Sequence, residues 1–170
     1  EAGMPLINLK CFAVGGGFRR GGLKAYVGQH ANRHLAYPDE ILVANTDLTQ
    51  AGTIIGSPLM VPRDIEAAIF THHVSALRLN QDWLQRRHYV FELLRSGAFR
   101  QHAKGHASGT TVLGLRSESI ERFEFVRPPR PILDRVESQL ADLHRMSSTL
   151  EQSNNKLIAA RDLLVPRLVM

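Results

Sequence analysis

Apolar positions along the chain follow two regimes. Through residue 126 they come in short clusters separated by glycine, proline and polar residues. After Pro131 they settle into one repeat of seven. In the first regime Leu6–Phe12, Ile41–Ala44 and Val74–Leu79 predict strands, and Thr111–Leu115 a further one. Phe123 and Phe125, alternating with Glu124 and Val126, predict a last strand before the prolines. Leu84, Val90, Phe91 and Leu94 with polar intervals predict a helix over 81–95 that stops near Gly97, with a short turn over 98–103. Ser117, with Glu118 and Glu121 following, marks another helix start.

The regimes meet at Arg127-Pro128-Pro129-Arg130-Pro131, where three prolines remove backbone donors and bias the chain toward extended conformations. This divides the chain into a globular domain, 1–130, and a helical segment, 131–170. From there no glycine or proline interrupts the chain until Pro166, which predicts a helix of about 35 residues, on the order of 50 Å. Val136, Leu143, Leu150, Leu157 and Leu164 recur every seven residues. That repeat implies a left-handed supercoil against another helix. The second seam holds Gln139, Met146, Ser153, Ala160 and Arg167, and its small residues allow close approach. So long a stripe outreaches the surface of one small domain, so a partner helix is expected; the alternative is a helix folded back on its own domain. Asn154 and Asn155 beside the seam either fix register or belong to a solvated face. The fold class expected is α+β: mixed strands and short helices followed by one long coiled-coil helix.

Charge adds a partner class. Lys and Arg number 21 against 16 Asp and Glu, a formal net charge of +5 that favours an anionic partner. Cys11 is the lone cysteine, which excludes an internal disulfide or a cysteine-based zinc site and fits a reducing, cytoplasmic setting. On its alternating apolar segment it is a small core residue rather than a nucleophile. No apolar run approaches the ~18 residues a membrane span needs, and the first residues lack the pattern of a secretory signal.

Enzymatic signatures are missing. A P-loop ends in Lys followed by Ser or Thr, yet Lys10, Lys24, Lys104 and Lys156 precede Cys, Ala, Gly and Leu. No Glu has a Lys two residues later, as common metal-dependent nucleases require. Pro128-Pro129 follows Arg127 rather than the Asn or Asp of an amino-methyltransferase site, and Gly56-Ser57-Pro58 lacks a nucleophile elbow. A Ser-His-Asp set has no fixed spacing, so a small hydrolase survives as a minor alternative. His30/His34 and His102/His106 have the spacing of two ligands one helical turn apart. The first pair has no carboxylate pattern nearby, and Gly105 disfavours the helix the second needs. Metal binding is therefore not expected, and His72-His73 is read as structural.

The order of motifs resembles one target-recognition domain and the conserved long helix of a type I restriction-modification specificity subunit. Gly3-Met4-Pro5-Leu6-Ile7 is similar to that family's first core strand, and Asp39-Glu40-Ile41-Leu42-Val43 to its Asp-Ile-Leu strand, with Pro38 where a glycine is usual. The more specific run is Tyr89-Val90-Phe91-Glu92-Leu93-Leu94, then Gly97-Ala98-Phe99, then Gly109-Thr110-Thr111-Val112-Leu113, leading into the paired prolines and the helix. Ile158 to Leu168 looks like the family's final helix turns, while Gln139 comes later than the glutamine usual after the prolines. The resemblance implies a non-catalytic subunit that reads one half of a bipartite double-stranded DNA target. Its long helices pack antiparallel as a spacer between halves. It also implies a separate modification (methyltransferase) subunit using S-adenosylmethionine and a restriction (motor-nuclease) subunit using ATP and Mg, with no cofactor on this chain. Self-association and pairing with a second recognition half both remain open.

Three segments carry the residue types that contact phosphates and base edges. Arg19, Arg20 and Lys24 form a basic loop bracketed by glycines. Asn45, Thr46, Asp47, Thr49 and Gln50 follow a strand, and Lys104, His106, Ser108, Thr110 and Thr111 precede one. Each has a solvated loop as its alternative. The expected helix seam is Val136, Leu143, Met146, Leu150, Leu157, Ala160 and Leu164. A different class of function, a coiled-coil scaffold whose globular domain binds protein, shares the seam but not a preference among duplexes.

Overall fold

The structure, a computed structural model, describes residues 3–168, with side chains through Val165. The chain forms two compact units, Glu1–Pro128 and Pro129–Met170. The class is α+β, with short strands and helices followed by a long helix.

The first unit holds three small sheets. One is four-stranded: β1 (Met4–Ile7) lies between β2 (Lys24–Tyr26) and β7 (Ala68–Phe70), and β3 (Leu35–Ala36) closes the far edge. β1 and β7 run parallel, and the other pairings are antiparallel. The second sheet is antiparallel, with β4 (Ile41–Ala44) between β6 (Pro58–Met60) and β8 (Val74–Leu77). The third is a two-stranded ribbon of β5 (Thr46–Asp47) and β9 (Leu113–Gly114).

All four residues of β4 are buried, because its two faces serve two cores. Leu42 and Ala44 pack with Ile7, Phe12, Leu59 and Phe70. Ile41 and Val43 face Phe91, Leu94, Phe99 and Leu115. A central strand that buries both faces reads as a continuous apolar run, which is how Ile-Leu-Val-Ala was recognisable.

Several predicted elements are shorter than expected. β1 ends at Ile7 because Asn8 folds the chain into a 3₁₀ turn over Leu9–Cys11: its side chain accepts from Lys10 N–H at 2.9 Å and donates to Gly22 O at 2.8 Å. The predicted 81–95 helix is two pieces, α1 (Gln81–Leu84) and α2 (Arg87–Arg95). The break falls at Arg86, whose buried side chain donates back to Asp82 O at 2.7 Å. The expected turn over 98–103 is a helix, α3 (Gly97–His106), opened by Ser96, which accepts from Phe99 N–H at 3.2 Å. Gly105 does not prevent it, because burial of Phe99 and Ala103 outweighs about 1 kcal/mol of glycine propensity.

The strand predicted over 123–126 is not formed. Its aromatic residues stack on the helices instead: Phe123 meets Phe99 at 5.1 Å and His102 at 5.2 Å, and Phe125 meets Trp83 at 5.6 Å. Arg127 lies over the Trp83 ring at 5.1 Å. Ring pairs of this kind each contribute about 0.5–1.5 kcal/mol beyond area burial, enough to hold the segment without a ladder. The helix expected from Ser117 is present as α4 (Ser117–Glu121).

The second unit is α5, Arg130–Leu168, 39 residues and so about 58 Å long. Pro131 falls in its first turn, where a missing N–H costs nothing. The backbone continues helical through Pro166, and the side chain of Arg167 lies outside the described residues.

Candidate nucleic-acid interface

Two of the three predicted segments come together. The β5–β9 register pairs Thr46 with Gly114 and Asp47 with Leu113. Ser108 and Gly114 exchange backbone hydrogen bonds of 3.0 and 2.8 Å, closing a hairpin with Thr110 and Thr111 exposed at its tip. Gly109 makes the turn at φ +133°, where a β-carbon would overlap Val112 O. Because the hairpin turns there, only Leu113–Gly114 of the predicted 111–115 strand pairs with β5. Gln50 Nε2 donates to Thr110 O, which ties the 48–53 loop to the hairpin.

Asp47 anchors that loop. Its carboxylate, 1% exposed, accepts from Thr49 N–H at 2.8 Å, the Thr49 hydroxyl at 2.7 Å and Ile54 N–H at 2.8 Å. Burial alone would raise its pKa, but the bonds from Ile54, Thr49 and Ile55 outweigh burial and hold it below the usual carboxylate range. Asp47 is therefore a structural anion, and its charge is absent from the surface.

Asn45 and Thr46 are committed to the same scaffold. Asn45 donates to His72 O at 3.2 Å and the Ser75 hydroxyl at 3.0 Å, and accepts from the Thr46 hydroxyl at 2.9 Å. Gln50, Thr49, Thr110 and Thr111 are exposed.

Helix α3 supplies the cations. Lys104 is exposed, and its Cε lies 3.8 Å from where a β-carbon on Gly52 would sit. Arg100, one turn earlier on the same helix face, donates to Thr53 O at 3.2 Å and passes within 3.1 Å of a β-carbon position on Gly15. Sequence reasoning missed Arg100. The available signal was charge patterning: no Asp or Glu occurs over 96–117 or over 48–63. His106 is exposed and donates through Nδ1 to His102 O at 2.9 Å, while His102 donates through Nε2 to Ser119 O at 2.8 Å.

The first predicted segment lies elsewhere. Gly15, Gly16 and Gly17 adopt φ of +82°, +103° and +122° at the tip of a turn whose base is the Phe12–Phe18 bridge. Arg19 and Arg20 follow that base. Arg19 is exposed, and Arg20 is bound to both Asp64 carboxylate oxygens at 2.8 and 2.7 Å, over the Phe18 ring. Lys24 is exposed on the edge strand β2 rather than in a loop. Arg20 thus lines a groove of about 640 Å³ with Tyr26, His30, Asp64 and Glu66. That groove contains acid, whereas the 48–63 and 96–117 segments do not.

Cys11 is fully buried, and burial pushes its thiol pKa up, so it is packing rather than a nucleophile. His73 is held below the usual imidazole range by burial and by His72, whose ring is 3.9 Å away.

In the second unit the expected seam is solvent-facing along most of its length. Leu143, Met146, Leu150, Leu157 and Leu164 are 54–67% exposed, Ala160 is exposed and Val136 is intermediate. No helix among the described residues is long and apolar enough to cross a membrane.

No protein-family model and no curated protein sequence matches the chain. One solved structure that does resemble it belongs to work on complex assembly and conformational transition of the type I R-M system. The two chains are 15% identical with a TM-score of 0.52, and the match covers 96% of this chain but 36% of that one. The chain therefore spans about a third of that neighbour and shares its fold over nearly its own full length.

Proposed function

We propose that this chain is a sequence-specific DNA-binding specificity element, whole or partial, of a type I restriction-modification system. In this reading the first unit recognises one half of a bipartite duplex. The long helix pairs with another helix, from a second copy or a second recognition half. The chain itself is non-catalytic and directs a methyltransferase subunit and a motor-nuclease subunit in the cytoplasm. S-adenosylmethionine, ATP and Mg act on those partners.

The observation that carries the proposal is the convergence of α3, the 48–53 loop and the 108–114 hairpin, three segments that contain no Asp or Glu. Arg100 and Lys104 provide positive charge, and Gln50, Thr110 and Thr111 provide exposed donors and acceptors. Phosphate contacts want the former and base edges the latter. The fold shared with a type I R-M chain supports the same reading. The exposed seam of α5 fits a spacer or dimerisation helix.

Fluorescence anisotropy against duplex DNA over a range of salt tests the surface. Arg100→Ala and Lys104→Ala are each expected to weaken binding across sequences and flatten the log–log salt slope by about one unit. Unchanged affinity and slope in the double variant would remove this face from the footprint. A protein-binding scaffold would show no salt-dependent preference for any duplex.

A further inference from the structure

The ribbon carries two aliphatic side chains that neither core absorbs: Leu48 is 62% exposed and Val112 is 43% exposed. They flank the last paired residues of the ribbon. The register ends at the Asp47–Leu113 pair, and Leu48 and Val112 are the next residues out on either side, both in bends. The Gln50–Thr110 bond joins the same two segments again beyond them. Held between these two links, Leu48 and Val112 lie on adjoining segments with their side chains exposed. Two branched side chains therefore form one outward apolar patch at the end of a ribbon.

What surrounds the patch selects its occupant. Arg100 and Lys104 flank the loop; Thr49, Gln50, Thr110 and Thr111 border the patch; and neither 48–63 nor 96–117 contains an acid. This rim fits a polyanion with hydrogen-bonding edges rather than an apolar protein surface. A two-stranded ribbon matches the width of the DNA major groove. The apolar group that bases present in that groove is the C5-methyl of thymine.

We infer that Leu48 and Val112 are specificity-determining residues that contact the C5-methyl of thymine in the major groove of the recognised duplex. This rests on the proposed DNA-binding function and adds a base preference to it. The half-site is expected to contain thymine under the ribbon, and its affinity to depend on the methyl group itself.

The test uses the full chain and the duplex it enriches from a random pool, with each thymine replaced in turn by deoxyuridine. That exchange removes only the methyl. Wild-type protein should lose about three- to five-fold affinity at one or two positions, the equivalent of one buried methyl each. The Leu48→Ala/Val112→Ala variant should bind thymine and deoxyuridine duplexes equally while keeping the wild-type salt slope. Val112→Thr, nearly isosteric and on an exposed site, provides the same comparison with the least disturbance of the hairpin. A wild-type protein that enriches a sequence yet is indifferent to every deoxyuridine exchange overturns the inference and leaves the DNA-binding function standing. So does a double variant that retains the discrimination. A wild-type protein that enriches no duplex overturns both.

Discussion

Replacing Asp47 removes the anchor of the loop that carries Leu48, Gln50 and Thr53. Its carboxylate accepts from the backbone N–H groups of Thr49 and Ile54 and from the Thr49 hydroxyl, and it is 1% exposed. A hydrogen bond to a charged group contributes about 1.5–3 kcal/mol, and a buried donor left without a partner costs about 1–3 kcal/mol. Thr49 is at the surface and its hydroxyl re-solvates, so the loss concentrates on the two N–H groups. Asp47→Ala should therefore destabilise the first unit by about 3 kcal/mol, a fall in Tm of about 10 °C. Asp47→Asn keeps the shape but turns an amide N–H toward one of the donors, and should cost about 2 kcal/mol. The pH dependence has a fixed sign. Because the folded pKa is depressed, the stabilisation is fully present above the ordinary Asp value of about 3.9 and is lost as pH falls through the lower folded value. The gap between wild type and Asp47→Asn should thus be flat above about pH 5 and close below it. Denaturant titrations at several pH values measure it. A gap under about 0.5 kcal/mol at pH 7, or one that widens with acid, would refute the assignment of Asp47 as a structural anion.

Three other outcomes follow. Gly56 has φ +73°, and a β-carbon there would lie 2.5 Å from the Ala103 Cβ; Gly56→Ala should cost at least about 2 kcal/mol in chemical denaturation by strain and by displacing α3. Leu150→Asp places a charge in the exposed seam and should abolish self- or partner association in sedimentation equilibrium while leaving the first unit's melting unchanged. An antiparallel pair of copies centred on Thr149 sets Asp142 of one beside Lys156 of the other; Lys156→Glu should weaken such a dimer by about three- to ten-fold, and adding Asp142→Lys should restore it.

The parts of this fold legible in the sequence are those whose residues act through a long or repeated pattern. The heptads of α5 and the two-faced burial of β4 are of that kind. What was not legible depended on side chains competing with the backbone ladder. Asn8 ends β1 by capping a 3₁₀ turn, and Phe123 and Phe125 alternate like a strand but are used as rings against Phe99 and Trp83. Strands of two or three residues such as β3, β5 and β7 are too short to show a period. At the candidate site, residue type alone singles out the polar residues of 45–50 and 104–111. Their division of labour was not, because only the hydrogen bonds show that Asn45, Thr46 and Asp47 build the scaffold while Gln50, Thr110 and Thr111 reach the surface. Arg20 has the right chemistry for a phosphate contact, yet its partner Asp64 is 44 residues away, a pairing no local pattern reveals.

The proposed function requires the first unit to distinguish one duplex sequence from others. Selection from a random duplex pool, followed by competition of the enriched sequence against a scrambled duplex at physiological salt, tests it most directly. Enrichment of a defined half-site, bound at least about 10³-fold more tightly than the scrambled competitor, is expected. Binding with no enrichment, or equal affinity for both duplexes, would contradict it.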